Sequence, residues 1–281
     1  MGRPGIAGPA MSLPPLPDEL RVGTVQWSIS RASVEENLAS LDAILAGMAP
    51  SRPHLALLPE MWSRGFCGTA LLEESEALPA RQASMRDRAV HHRTWIGGTL
   101  PEPGDGRRVY NTFFLFDAEG NLRLSYRKIH LFPLTREPEF FLPGDALPVP
   151  CEAGPWRIGV GICFDIRFPG LFTSQVARGA NLLLLPAQFP DPRQEHFRLL
   201  ARARALENQA CVVGVNRTGT DGALSYFGGS LICSFQGEII GEMSRQEGGT
   251  VFTIRASDGE TLRAAFPLQE RISTLAAASP P

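Results

Sequence analysis

Three apolar runs in this chain give way to a side chain able to take part in making and breaking bonds. "HLALLPE" (54–60) ends in Glu60, "WRIGVGIC" (156–163) ends in Cys163, and "NLRLSYRKIH" (121–130) carries Lys128. Along the last run Leu122, Leu124, Tyr126 and Lys128 alternate, so a strand's two-residue period puts the lysine on the apolar face. Singly, each residue has an ordinary explanation: a buried cysteine is a small hydrophobe, a lysine at a strand end snorkels, and a carboxylate in a turn is solvated. Together they supply a nucleophile, a proton carrier and a cation for an oxyanion, which is what acyl transfer needs.

For three such residues to meet, several strands must end at one edge of the fold, where α/β sheets bind their ligands. "RVGTVQWSI" (21–29) reads as a strand, and "SVEENLASLDAILAGM" (33–48) as an amphipathic helix. The helix opens on a Ser33/Glu36 capping box and carries Val34, Leu38, Leu41, Leu45 and Met48 at helical spacing. "HLALLPE" then reads as a strand buried on both faces. The same order recurs in "WRIGVGIC", "PGLFTSQVARGA" (169–180) and "NLLLLPAQF" (181–189). "HLALLPEMW" matches "NLLLLPAQF" through the apolar run, the proline and the final aromatic. Two related halves within one domain are expected, with Glu60 and Cys163 in equivalent places. Strands at 94–100, 111–120 and 121–130 lie between the halves, the last two joined by a Gly-Asn turn. A helix at 194–209 and strands at 211–217, 228–235, 238–243 and 250–256 follow. This alternation predicts an α/β layered sandwich, helices covering two packed sheets.

Composition narrows the partners. Lys+Arg 27 against Asp+Glu 29 leaves a formal charge of -2, so no basic surplus favours nucleic acid or anionic lipid. Five cysteines, Cys67, Cys151, Cys163, Cys211 and Cys233, are scattered without CxxC or CxxH spacing, against both a disulfide framework and a zinc site. No run approaches the roughly 18 apolar residues of a membrane span, and "MGRPGIAGPAMSLPPLPDEL" lacks the apolar core of a signal peptide. The expected organisation is a flexible Pro/Gly-rich arm over 1–20, a single domain over 21–273 and a disordered tail over 274–281. The expected setting is the cytoplasm, with reduced thiols.

The residues around the three groups resemble a known family. "LLPEMW" around Glu60, "YRKIHLF" around Lys128 and "GICFDIRFP" around Cys163 look like the three catalytic motifs of the nitrilase (carbon-nitrogen hydrolase) superfamily, in the same order and at similar separation. The likeness runs from "VGTVQWS" to "FPLQERI". It implies a four-layer α-β-β-α sandwich and a Glu60-Lys128-Cys163 triad. The family's auxiliary glutamate falls on Glu137 in "REPEFFLPGD", with Glu139 two residues on as the alternative. "PEMWSRGF", "CFDIRFPG" and "RALENQACVVGVNRTG" are most similar to the omega-amidase branch, whose members release ammonia from the terminal amide of α-keto acids such as α-ketoglutaramate. Phe164 departs from that branch, standing where a tyrosine is common, and so does "MWSRGFCG", in place of a threonine-rich loop.

The resemblance also implies a mechanism. Cys163 would attack as a thiolate, its pKa drawn below the ~8.5 reference by the Lys128 ammonium. Lys128 and the Phe164 N–H would hold the oxyanion, Glu60 would move protons, and Glu137 would position the amide or the water. A thioester forms and hydrolyses, with neither metal nor organic cofactor. A substrate carboxylate calls for a cation, for which Arg167 and Arg193 are placed, although an ion pair with a nearby acid is the ordinary use of Arg167. Met61, Trp62, Phe66 and Phe164 are placed to shape the acyl pocket, although plain core packing is an equal reading of Met61, Trp62 and Phe66. Relatives of this kind usually assemble as homodimers or larger homo-oligomers, so a second copy is the expected partner, with no nucleic acid and no membrane. The same triad would serve an N-carbamoyl amino acid hydrolase, a deaminated-glutathione amidase or a nitrilase. A papain-like scheme would need a histidine base, for which His130 is best placed although a structural role is its more ordinary use, and a non-catalytic small-molecule-binding scaffold would keep the fold without the chemistry.

Overall fold

Alternation along the strands decides the layers. In the strand Leu55–Leu57, Leu55 and Leu57 belong to the central core, while Ala56 and the following Leu58 pack on the opposite face. Phe113 and Leu115 likewise point inward, and Phe114 and Phe116 outward. A strand covered on both sides reads as a continuous apolar run, which is why these segments are so rich in leucine and phenylalanine. The structure, a computed structural model, describes residues 15–268.

The first sheet runs in the order Gly248–Arg255, Glu19–Gln26, Leu55–Leu57, Trp95–Pro103, Val109–Phe116, Leu122–Arg127, with the short Phe141–Leu142 beside Val109–Phe116. The second runs Ile239–Glu242, Leu231–Cys233, Cys211–Asn216, Leu182–Ala187, Trp156–Val160, Cys151–Ala153. Each has three parallel strands at its centre and antiparallel strands outside them. The helices Val34–Met48 and Leu78–His92 cover the outer face of the first sheet, setting Leu41, Leu45, Met48, Met85 and Ala89 against Val25, Ala56 and Ile96. Pro169–Val176 and Gln194–Asn208 cover the second. The result is the expected four-layer α-β-β-α sandwich.

The Ser33 hydroxyl accepts the Glu36 N–H at 3.1 Å, as its capping position predicts. Between Phe116 and Leu122 the Asp117 carboxylate accepts the N–H groups of Glu119 and Asn121, and Gly120 sits at φ +83, a left-handed conformation that favours glycine.

The two halves are related, but the expected equivalence of Glu60 and Cys163 is corrected. Val22 lies opposite Leu55 in the first half and Ile158 opposite Leu182 in the second. In that register Glu60 corresponds to Ala187, and Cys163 corresponds to Trp27. One follows the second strand of its half, the other the first strand.

The arm boundary also moves. Residues 15–20 are packed: Leu16 is buried, the Trp156 indole N–H donates to the Pro17 carbonyl at 2.8 Å, and the first strand begins at Glu19. Residues 1–14 and the tail expected over 274–281 lie outside the described residues. The helices Leu78–His92 and Ala256–Ala265 and the hairpin Thr218–Asp221/Leu224–Phe227 were not legible in the sequence. In Leu78–His92 only Met85 and Ala89 are buried, so it shows no sustained apolar stripe. Among the described residues no helix is long and apolar enough to cross a membrane.

Candidate active site

The three strand-end residues converge across the sandwich. Glu60 and Lys128 follow strands of the first sheet, Leu55–Leu57 and Leu122–Arg127, and Cys163 follows Trp156–Val160 of the second. Lys128 Nζ donates to Glu60 Oε1 at 2.8 Å and to both Glu137 oxygens at 3.0 Å. The side chains of Lys128 and Glu60 are 0% exposed, so the ammonium is held between two carboxylates away from bulk water. Asn111 Nδ2 donates to the same Glu60 Oε1 at 2.8 Å, and the Gln188 N–H donates to Oε2 at 2.9 Å. Glu137 is fixed in turn by the Phe132 N–H at 2.9 Å. The choice between the two candidate glutamates is therefore geometric: Glu137 meets Lys128, whereas Glu139 is exposed and pairs with Arg136.

Burial opposes the charge on Lys128, yet the Glu137 and Glu60 carboxylates outweigh it and hold the ammonium well above the ordinary lysine range. Glu137 is pushed up, chiefly by burial and with a further push from Glu60, against the pull of Lys128. The expected lowering of the Cys163 pKa is corrected. Burial, followed by the Glu60 carboxylate, raises this thiol well above the usual cysteine range, and the opposing pulls of Lys128 and the Gln188 N–H are smaller.

Cys163 has φ +46, a left-handed conformation that a side-chain-bearing residue seldom adopts. Such a conformation costs about 1–3 kcal/mol and persists where surrounding structure imposes it, often at functional sites. It leaves Cys163 6% exposed on the wall of a cavity of about 450 Å³. Glu137, Phe66, Phe132, Phe164 and Phe189 also line this space. So do Arg167 and Arg193. Arg193 stands 5.5 Å from the Phe132 ring centroid, Arg167 5.9 Å from that of Phe164 and 5.8 Å from that of Phe189. Among the described residues neither arginine has a carboxylate within ion-pair distance, and Arg167 Nη2 lies 3.2 Å from His196 Nδ1. The ordinary ion pair expected of Arg167 is not formed among the described residues.

The carbon-nitrogen hydrolase family model matches residues 21–264. The chain is 30% identical to a 2-oxoglutaramate amidase of Paenarthrobacter nicotinovorans, over 91% of this chain and 90% of that protein. The chain belongs to the carbon-nitrogen hydrolase family. It is also 32% identical to an omega-amidase of Xenopus tropicalis, over 82% of this chain and 86% of that protein. A solved CN-hydrolase superfamily protein of Xanthomonas campestris, with an arsenic adduct in its active site, matches with a TM-score of 0.84 at 30% identity, covering 90% of this chain and 97% of that one. The protein is thus a hydrolase acting on non-peptide C–N bonds.

Of the side chains expected to shape the pocket of this carbon-nitrogen hydrolase, Phe66 and Phe164 reach it and Trp62 does not. Met61 adopts φ +49, and the chain turns so that Trp62 enters the outer layer with Leu41 and Met85. There its ring lies against Gly98, where an added Cβ would come within 2.9 Å of Cδ1. Met61 itself packs with Leu71, Val109 and Phe141. His130 Nδ1 is 2.7 Å from Asp165 Oδ1 and its ring stacks on Phe168, and His130 is not among the residues lining the cavity beside Cys163. Sequence reasoning missed Asn111 and Gln188. For Gln188 a signal existed, since "NLLLLPAQF" brings a polar residue to the strand end that faces Glu60. Among the described residues no group of three His, Cys, Asp or Glu side chains could hold a metal ion.

Proposed function

We propose that this hydrolase releases ammonia from the terminal amide of a small α-keto dicarboxylic acid, such as α-ketoglutaramate, through a thioester on Cys163. The observation that carries this reading is the Glu60–Lys128–Glu137 network behind Cys163, beside a cavity that also holds two guanidinium groups, Arg167 and Arg193, without carboxylate partners among the described residues. The names of the 2-oxoglutaramate amidase and omega-amidase relatives support it.

Cys163 Sγ attacks the amide carbon as its proton passes to Glu60. Lys128 and Asn111 already occupy Oε1, so Oε2 is the oxygen with capacity to take that proton. Lys128 and the Phe164 N–H stabilise the oxyanion, each such donor contributing about 3 kcal/mol. Glu60 then protonates the nitrogen, the C–N bond breaks, and ammonia leaves a thioester. Water adds to the thioester as Glu60 takes its proton, the C–S bond breaks, and the carboxylate departs as the thiol is restored. Because burial and the Glu60 carboxylate raise the thiol's pKa, the proposed step removes its proton as the sulfur attacks.

The test is ammonia release from α-ketoglutaramate, compared with glutamine, an N-carbamoyl amino acid and a simple nitrile. Wild type is expected to prefer α-ketoglutaramate and Cys163→Ala to release none. A preference for the carbamoyl compound or the nitrile would sink the substrate reading, and activity in Cys163→Ala would sink the thioester. Arg193→Ala and Arg167→Ala are each expected to raise KM for α-ketoglutaramate at least about tenfold with a smaller change in kcat, since a hydrogen bond to a charged group is worth roughly 1.5–3 kcal/mol. An unchanged KM would remove that arginine from substrate binding.

The proposed assembly is a homodimer in the cytoplasm. Leu199 and Leu206, seven residues apart on one face of Gln194–Asn208, are 65% and 58% exposed, the kind of apolar surface that a second copy covers.

A further inference from the structure

Asp165, two residues after the nucleophile, is 0% exposed and lies outside the mechanism above. Three donors and the His130 ring nitrogen converge on its carboxylate. Oδ2 accepts the Ile162 N–H and the Tyr126 O–H, each at 2.9 Å. Oδ1 accepts the His130 N–H at 3.1 Å and faces His130 Nδ1 at 2.7 Å. The Asp165 N–H donates to the Ile162 carbonyl at 2.9 Å, so the residue preceding Cys163 is gripped on both sides of its backbone.

The partners are as informative as their number. Tyr126 and His130 stand two residues before and two residues after Lys128. Ile162 immediately precedes Cys163. One carboxylate therefore links the segment that presents the ammonium, which ends a strand of the first sheet, to the turn that presents the thiol, which follows a strand of the second. Nothing covalent sets that spacing, because the two segments are more than thirty residues apart in sequence. The left-handed Cys163 also needs an external restraint, and the double grip on Ile162 supplies one.

We propose that Asp165 is a positioning residue: it fixes the Cys163 thiol relative to the Lys128 ammonium by joining Ile162 to Tyr126 and His130. This rests on the roles assigned to Cys163 and Lys128 above. A carboxylate is suited to the task because all its hydrogen-bonding capacity is acceptor, matching the donors around it. An asparagine of the same shape would turn an NH2 group toward the Ile162 and Tyr126 donors or toward those of His130, and one side of the link would open.

The test compares Asp165→Asn and the milder Tyr126→Phe with wild type. Two readouts are taken: kcat and KM for ammonia release, and the alkylation rate of Cys163 by iodoacetamide, followed at the Cys163 peptide by mass spectrometry. Misplacing a reacting group by about 1 Å can cost on the order of a hundredfold. Asp165→Asn is accordingly expected to lose about a hundredfold in kcat with KM within about threefold, and to show an altered Cys163 alkylation rate. Tyr126→Phe, which removes one hydroxyl, is expected to shift both readouts in the same direction by about tenfold or less. Folded Asp165→Asn with wild-type kcat and alkylation rate overturns the proposal. If Asp165→Asn does not fold, Tyr126→Phe decides, and wild-type values in both readouts overturn it. The alkylation readout needs no amide substrate, so failure here is distinguishable from a wrong substrate. An active Cys163→Ala would instead bring down the site assignment itself.

Discussion

Lys128→Met is expected to abolish amide hydrolysis and to destabilise the protein by about 3–5 kcal/mol, because removing one partner of a buried ion network strands the others. Glu60 and Glu137 would be left facing one another with no cation between them. In wild type, burial already lifts the Glu137 carboxyl above its usual range, and without the ammonium it rises further. A carboxyl whose folded pKa is raised favours the folded state at low pH, and that contribution is lost as pH climbs through the raised value. The stability deficit of the variant should therefore shrink as pH falls toward the ordinary carboxylate range and be largest at higher pH. Urea unfolding midpoints of both proteins across pH 5–8 measure this directly. A deficit that does not change with pH would mean that the two carboxylates are not what the lysine neutralises. Near-wild-type turnover in the variant would remove Lys128 from oxyanion stabilisation.

Glu60→Gln should separate chemistry from architecture. Gln can keep its oxygen toward Lys128 and Asn111, but its NH2 then meets the Gln188 N–H, leaving that donor unsatisfied at a cost of about 1–3 kcal/mol. The fold is expected to survive this, and turnover is not. With no base to remove the proton of a thiol whose pKa burial raises, and none to activate water, the loss is expected to exceed about a thousandfold. Steady-state ammonia release with far-UV circular dichroism on the same preparation gives both halves of the result. A folded Glu60→Gln protein retaining a tenth of the activity would end the role of Glu60 as proton carrier. A burst of ammonia followed by arrest would place the loss in thioester hydrolysis alone.

The residues that end the apolar runs were legible because strand patterning is local. A two-residue period put Lys128 on an inward face, and continuous runs before Glu60 and Cys163 marked strands buried on both sides. The Ser33 cap was readable for the same reason: its donor and acceptor lie three residues apart. Glu137 and Glu139 could not be told apart that way. Both are acidic residues in one short turn, and what separates them is the helical turn after the left-handed Arg136, which carries one toward Lys128 and leaves the other in solvent. The destination of Trp62 was likewise hidden, since it follows from the backbone reversal at Met61 and the space over Gly98.

The sequence by itself determined which side chains stand at strand ends and which layers the strands separate, because those facts depend on neighbours a few residues away. Only the tertiary structure decided that Asn111, Gln188 and Asp165 join them, that among the described residues Arg167 and Arg193 stand without carboxylate partners, and that burial pushes the Cys163 thiol up. The physical reason is that hydrogen-bond partners and desolvation are set by groups that only the packing of two sheets brings together.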